Sequence, residues 1–280
     1  MPRWAVQFSL TLCSAVITGA SSGLGAEFAR QLAPRACCLV LAARREEALA
    51  VTRDAVLAIN PAVRVVSVPC DLATPAGREA LITQLEAQDV HPNLLINNAG
   101  MGDYGTFESA TQDRLSAQIE LNISALVQLT HALVPRLKTA PQQPAGILNV
   151  SSLAGVLPMP DLAVYAATKA FVTSFSEALA VELAEQNIAV SCVCPGPTPT
   201  NFSKTARRES GSDTDRAGQD FLRIPPAKVV STALEALQSG DPCVYPGLGV
   251  SLASSAFRIM PRFLQRAILR RRFANRPTQS

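Results

Sequence analysis

A chain of 280 residues with 48% hydrophobic and 17% charged residues can bury a large core, which excludes wholesale disorder and fits one large α/β domain or two small ones. The net charge of +3 is too small to point to nucleic acid. Seven scattered cysteines with no Cys-x-x-Cys pair read as reduced thiols of a cytoplasmic protein, and two histidines are too few for an imidazole metal centre or triad.

The apolar residues from Trp4 to Ile17 follow Arg3 and faintly resemble a secretory leader. They run on without a cleavage site into Thr18-Gly19-Ala20-Ser21-Ser22-Gly23-Leu24-Gly25, so a first buried strand over 12–18 is the better reading. No run reaches the roughly 18 apolar residues of a membrane span. A helix starts at Gly23, with Leu24, Phe28 and Leu32 at helical spacing, and stops near Pro34. Between strand and helix, Gly19, Ser21, Ser22, Gly23, Leu24 and Gly25 form a turn whose backbone N–H groups can approach a phosphate closely. A mere tight turn would not need three glycines at these places.

The second strand, 37–43, is continuously apolar, as interior parallel strands are, and ends in Arg44-Arg45. NAD-binding sites usually carry a carboxylate there for the ribose hydroxyls, whereas an arginine suits the 2′-phosphate of NADP. No acid appears until Glu46, so Arg44 favours NADP(H), with NAD(H) the second choice; Arg44 as an exposed loop residue is the plainer alternative. A helix over 45–59 and a strand over 63–68 lead to Asp71-Leu72, where Asp71 either accepts the adenine amino group or caps the next helix, 75–88. A fourth strand, 94–96, runs into Asn97-Asn98-Ala99-Gly100.

Residues 112–138 read as one long amphipathic helix carrying Asn122, and 145–150 as a strand that delivers Ser151 and Ser152. Within a helix over 163–185, Tyr165 and Lys169 are four apart and share a face. An ammonium beside the phenol would favour the phenolate and bring the tyrosine toward the working pH range. A strand over 188–194, in which Cys192 and Cys194 point to one side as packing residues, is followed by Pro195-Gly196-Pro197-Thr198-Pro199-Thr200. Residues 201–223 turn polar and suit a substrate lid, placed at about 198–223. A helix over 226–239 and a short strand near 243–245 complete the pattern.

The ordered set Thr18–Gly25, Asp71, Asn97–Gly100, Asn122, Ser152, Tyr165, Lys169 and Pro195-Gly196 resembles the short-chain dehydrogenase/reductase family, densely over about 10–200 and more loosely to about 246. It is similar to a bacterial branch of uncertain substrate. The resemblance implies a doubly wound three-layer Rossmann fold with a seven-stranded, mainly parallel sheet, as one domain over 1–248. It implies hydride transfer between NADP(H) and a small-molecule carbonyl or secondary alcohol. It assigns the proton to Tyr165, the substrate oxygen to Ser152 by its thirteen-residue spacing, the ribose to Lys169 and a water relay to Asn122. Asn98, Ala99 and Gly100 would line the cofactor, and Pro195, Gly196, Thr198 and Thr200 would lie by the nicotinamide, although Thr198 and the extra prolines depart from the family's Pro-Gly-x-x-x-Thr. A homodimer or homotetramer through the 163–185 helix is a family expectation. A non-catalytic NADP-binding regulator is the alternative, one with little reason to keep all four catalytic side chains.

Residues 249–280 extend beyond the domain. Arg258, Arg262, Arg266 and Arg270 recur every four residues among Phe257, Ile259, Phe263, Leu264, Ile268 and Leu269, with Pro261 breaking or starting a helix. An amphipathic helix packed on the domain with a solvated basic face is the simple reading, and contact with a membrane surface or an acidic acyl carrier is the sharper one.

Overall fold

A computed structural model describes residues 5–137, 144–200, 202–206 and 223–274. Seven strands, β1 (Cys13–Thr18), β2 (Ala36–Ala43), β3 (Arg64–Pro69), β4 (Leu94–Asn97), β5 (Ala145–Val150), β6 (Ile188–Val193) and β7 (Cys243–Val244), form one sheet in the order β3-β2-β1-β4-β5-β6-β7. Every pairing is parallel. The strand order reverses between β1 and β4, so the loops at the carboxyl ends of these two strands diverge and leave a crevice.

Both sheet faces are covered, which explains why the strands read as unbroken apolar runs. Ile17, Leu41, Ile96 and Leu148 turn to one face, where they meet Phe28 and Leu32 of α1 (Gly23–Leu32), Leu49 and Val56 of α2 (Glu46–Ile59) and Val229, Val230 and Leu237 of α8 (Pro226–Ser239). Their neighbours Val16, Val40, Leu95 and Ile147 turn to the other. There they meet Leu81 and Leu85 of α3 (Pro75–Ala87), Leu129 and Leu133 of α5 (Ala125–Leu137) and Ala180 of α6 (Ala163–Glu182). Each side chain lost from these clusters would cost on the order of 2–5 kcal/mol.

The long helix expected over 112–138 is interrupted. α4 (Gln112–Ile119) passes into a π-helical segment, Glu120–Ser124, before α5 resumes. α6 stops at Glu182, three residues early, and a 3-10 turn (Ala184–Gln186) with Asn187 at φ 58 reverses the chain into β6; asparagine is among the residues that tolerate that left-handed geometry best. The last strand holds two residues, not three. Of the expected lid, the structure describes α7 (Phe202–Ala206), while 201 and 207–222 lie outside the described residues.

The tail departs most from its simple reading. It forms two helices, α9 (Leu248–Ile259) and α10 (Arg262–Ala274), separated at Met260-Pro261. α9 buries Val250 and Ser254 against the domain, but α10 has no buried residue among those described, so it is not a helix packed on the core. No helix among the described residues is long and apolar enough to cross a membrane.

Candidate active site

The glycine turn packs onto the end of β4. Gly19 and Gly23 have φ of +66° and +57°, and a Cβ on Gly25 would lie 2.2 Å from the Gly19 carbonyl oxygen. On Gly19 it would lie 2.9 Å from Ala99 Cα. Thr18 ties the two segments together: its hydroxyl accepts the N–H groups of Asn98 and Ala99, each at 2.9 Å, and donates to the Ile96 carbonyl. The Asn98 side chain donates to the carbonyls of Thr18 (2.8 Å) and Gly19 (3.2 Å), so its amide holds the turn in shape. At the start of α1, Ser22 makes no side-chain cap and the first turn carries no acid, which leaves N–H groups and the positive end of the helix dipole for an anion. Gly23 faces Thr200, whose Cβ would stand 3.4 Å from an added methyl group. This cradle fits a dinucleotide's phosphates. Ser21, Leu24 and Gly100 lie partly open beside it.

The other candidates for cofactor contact sit around the same sheet edge. Arg44 is exposed at the end of β2. Asp71 accepts the Ala73 N–H at 3.1 Å within its own loop, and the capping role goes to Thr74, which accepts the Gly77 N–H at 3.1 Å. Leu72 is buried in the core and its carbonyl takes Arg78 at 2.9 Å. After β6, the Pro195 carbonyl accepts the Leu153 N–H at 2.8 Å, Thr198 donates to Gly196 at 3.1 Å and Thr200 accepts the Phe202 N–H at 3.3 Å.

Ser152, Tyr165, Lys169 and Asn122 converge beyond the ends of β4 and β5. The Ser152 hydroxyl faces Tyr165 and accepts the Ala154 N–H at 3.1 Å. Ser151, the other serine, is buried, donating to the Lys169 carbonyl at 2.7 Å and meeting Thr173 at 2.8 Å, so it anchors α6 and does not face the cleft. Lys169 Nζ donates to the Val150 carbonyl at 2.8 Å and stands 5.8 Å from the centre of the Tyr165 ring. Gly155 lets the turn after Ser152 lie on the backbone of α6, where a Cβ would come within 2.7 Å of the Lys169 carbonyl carbon. Asn122, in the π segment, accepts the Met101 N–H at 2.9 Å and donates to the Met101 carbonyl (2.9 Å) and the Thr168 hydroxyl (3.0 Å). Both its amide hydrogens are thereby committed, and a water relay starting here would use an oxygen.

The electrostatics reverse the expected order. Burial pushes the Tyr165 phenol above its usual range, the hydrogen bond from Ser152 opposing it, while burial pulls Lys169 down to about 8. The ammonium is held by Val150, so desolvation outweighs its effect on the phenol. Phe202 on α7 packs against the phenol, its ring centre 5.6 Å from that of Tyr165. The ring can lie there because Gly102 carries no side chain: a Cβ would stand 2.9 Å from Phe202 Cζ.

Sequence reasoning also missed a buried amide chain. Asn97 donates to Thr130 (3.0 Å) and to Asn149 (2.9 Å), which donates to Ser176 (2.9 Å), locking the ends of β4 and β5 to α5 and α6. A polar residue closing two adjacent apolar strands was the available signal. Cys192, Cys194 and Cys243 form a thiol cluster with Sγ–Sγ separations of 3.9 Å for Cys192–Cys194 and Cys194–Cys243, in keeping with packing roles, whereas Cys37 is exposed.

A parallel sheet with a glycine-rich turn at its switch point and a serine, tyrosine and lysine beside it defines a nucleotide-dependent α/β enzyme. Residues 14–211 match the family model for short chain dehydrogenase. A probable short-chain type dehydrogenase/reductase of Helicobacter pylori is 34% identical over 194 residues, covering 69% of this chain and 67% of that protein. A 3-ketodihydrosphingosine reductase of Bacteroides thetaiotaomicron is 32% identical over 211 residues, covering 74% and 72%. The short-chain dehydrogenase of Sphingobium yanoikuyae, solved in complex with NADPH, is 30% identical with a TM-score of 0.75, covering 96% of this chain and 98% of that one. The chain belongs to the short-chain dehydrogenase family, and it is an oxidoreductase acting on CH–OH or C=O groups.

Proposed function

We propose that the chain interconverts a small-molecule ketone or aldehyde and the corresponding alcohol with NADP(H), using Tyr165 as the acid/base. The observation that carries this reading is the Ser152–Tyr165 pair beside a phosphate-shaped glycine cradle at one sheet edge. The NADPH in the Sphingobium relative's structure supports a nicotinamide cofactor, and Arg44 supports the 2′-phosphorylated form, with NAD(H) as the weaker partner.

When bound, the cofactor supplies or accepts the hydride. Gly19, Ser21, Ser22, Gly23, Leu24 and Gly25 would hold its pyrophosphate, Arg44 the 2′-phosphate, and Asp71 and Leu72 the adenine. Asn98, Ala99, Gly100, Pro195, Gly196, Thr198 and Thr200 would line the remainder. Ser152 donates a hydrogen bond to the substrate oxygen and holds it beside Tyr165. In reduction the Tyr165 phenol, protonated at neutral pH as ordinary phenols are, gives its proton to that oxygen. Lys169 orients the ribose and stabilises the phenolate left behind, and Asn122 keeps the path for reprotonation in place. α7 excludes water from the phenol through Phe202.

The unit doing this chemistry is assigned to 1–248, with 198–223 as its lid and 249–280 as an extension. Seven unpaired cysteines support a cytoplasmic location. Exposed Phe171, stacked on Phe175 at 5.7 Å, and exposed Val181 on α6 support a homodimer or homotetramer, which a solution mass measurement decides. The test of the chemistry is a panel of carbonyl substrates followed by NADPH oxidation, repeated with Tyr165→Phe. That variant should bind NADPH normally and lose about 10²–10⁴-fold in turnover; substantial residual turnover refutes the acid/base assignment.

A further inference from the structure

The exposed apolar side chains of the C-terminal helices have no role in the chemistry above. On α9, Leu248, Leu252 and Ile259 fall within about 40° of one another at 3.6 residues per turn, on the side opposite buried Val250 and Ser254. This outward stripe carries no charge, with Ser255 its polar member, and Ile259 is 84% exposed. On α10, Phe263 is 72% exposed, and Leu264 and Ile268 are exposed on another side of the helix. Arg262, Arg266 and Arg270 run along one edge at four-residue intervals, with Arg271 near Leu264 and Ile268. None of these four arginines has an ion pair among the described residues.

The charge is segregated. Residues 242–280 contain seven arginines and no aspartate or glutamate, so the rest of a chain with net charge +3 is net negative. Arg258 is the inward-facing exception: it donates to the Tyr245 hydroxyl at 2.9 Å and stands 3.6 Å from Glu177, fixing α9 to α6. Gln265 fixes α10 in turn, donating to the carbonyls of Phe257 and Met260 at 2.9 Å each. The two helices are therefore presented together, at a set angle.

We propose that α9 and α10 dock the enzyme peripherally on an anionic phospholipid bilayer. The arginines without an ion pair among the described residues call for an anionic partner, and a bilayer interface supplies one together with an apolar layer: it takes the outward stripe of α9 and the Leu264–Ile268 side of α10, while arginine stems lie along apolar surface and their guanidinium groups reach lipid phosphates. Nucleic acid would match the arginines and leave the leucine–isoleucine stripe unused. α9 packs on the Leu153–Val156 turn that follows Ser152, so docking brings the proposed active site to the membrane surface.

The experiment is flotation of the full-length chain with phosphatidylcholine vesicles, with and without phosphatidylglycerol. Binding should need the anionic lipid and weaken with salt. The Arg262→Gln/Arg266→Gln/Arg270→Gln variant should partition about a hundredfold more weakly, from the loss of three cationic contacts. Leu252→Ser/Ile259→Ser should also reduce binding, with the unfolding midpoint unchanged because both residues are exposed. Absence of flotation with anionic vesicles overturns the proposal. So does flotation that neither variant weakens, or a tail-dependent dimer or acyl-carrier complex from a chain that ignores vesicles. The wild-type comparison of the two lipid compositions decides the matter even if a variant fails to fold. Tyr165→Phe should float like wild type, which separates this inference from the catalytic one.

Discussion

Asn122→Leu tests whether the π segment is held by one side chain. Leucine nearly fills the same volume and removes the hydrogen bonds to the Met101 N–H, the Met101 carbonyl and the Thr168 hydroxyl. Two of those groups keep a partner: Gln118 reaches the Met101 carbonyl at 3.4 Å, and the Thr168 hydroxyl still donates to the Tyr165 carbonyl at 2.8 Å. The Met101 N–H is left unsatisfied, at about 1–3 kcal/mol, and each other lost bond adds about 0.5–1.5 kcal/mol. Allowing for the remaining partners, the total comes to about 2–4 kcal/mol, a large share of a typical stability of about 5–15 kcal/mol. Urea unfolding should show a lower midpoint with an unchanged slope. A loss below about 0.5 kcal/mol would refute the reasoning, since the bonds would then be replaceable by water.

Lys169 makes stability depend on pH. Its folded value of about 8 lies below the ordinary 10.5, so the unfolded chain binds the extra proton in that window, and stability should rise with pH between them, by about 3 kcal/mol. The difference between wild type and Lys169→Met isolates this from the cysteines; a flat difference from pH 8 to about 10 rejects it. Arg44→Ala should lower catalytic efficiency with NADPH more than with NADH, by about tenfold or more for a lost charge-assisted phosphate contact. An unchanged ratio of the two defeats the 2′-phosphate argument.

The sheet was legible because parallel strands buried on both faces must be continuously apolar, as Cys38–Ala43 and Leu94–Ile96 are. The glycine turn was legible for a related reason: Gly25 sits where any Cβ would strike the Gly19 carbonyl, so composition there is set by contact. The extent of the π segment was not readable, because Glu120–Ser124 has helical spacing and Asn122's partner Met101 lies twenty-one residues earlier. The choice between Ser151 and Ser152 rested on the thirteen-residue spacing to Tyr165 that the family resemblance supplies; in the structure, alternation at the strand end sends Ser151 to Thr173 and Ser152 to Tyr165. The tail was legible in part. Pro261 separates α9 from α10 as a helix break there requires, but the packing of α10 was not readable, because Phe263, Leu264 and Ile268 fall on different sides and spacing does not say which of them meets the core.

The tyrosine–lysine pair shows what spacing alone leaves open. Four-residue spacing puts Tyr165 and Lys169 on one face of α6, but the face does not decide where the ammonium points. Val150, at the end of β5, takes it, and the phenol is left with Ser152 as its nearby donor and Phe202 as its cover. α7, which carries Phe202, is held over the site by the Tyr104 N–H to Ala206 carbonyl bond at 2.9 Å and by the room that Gly102 leaves.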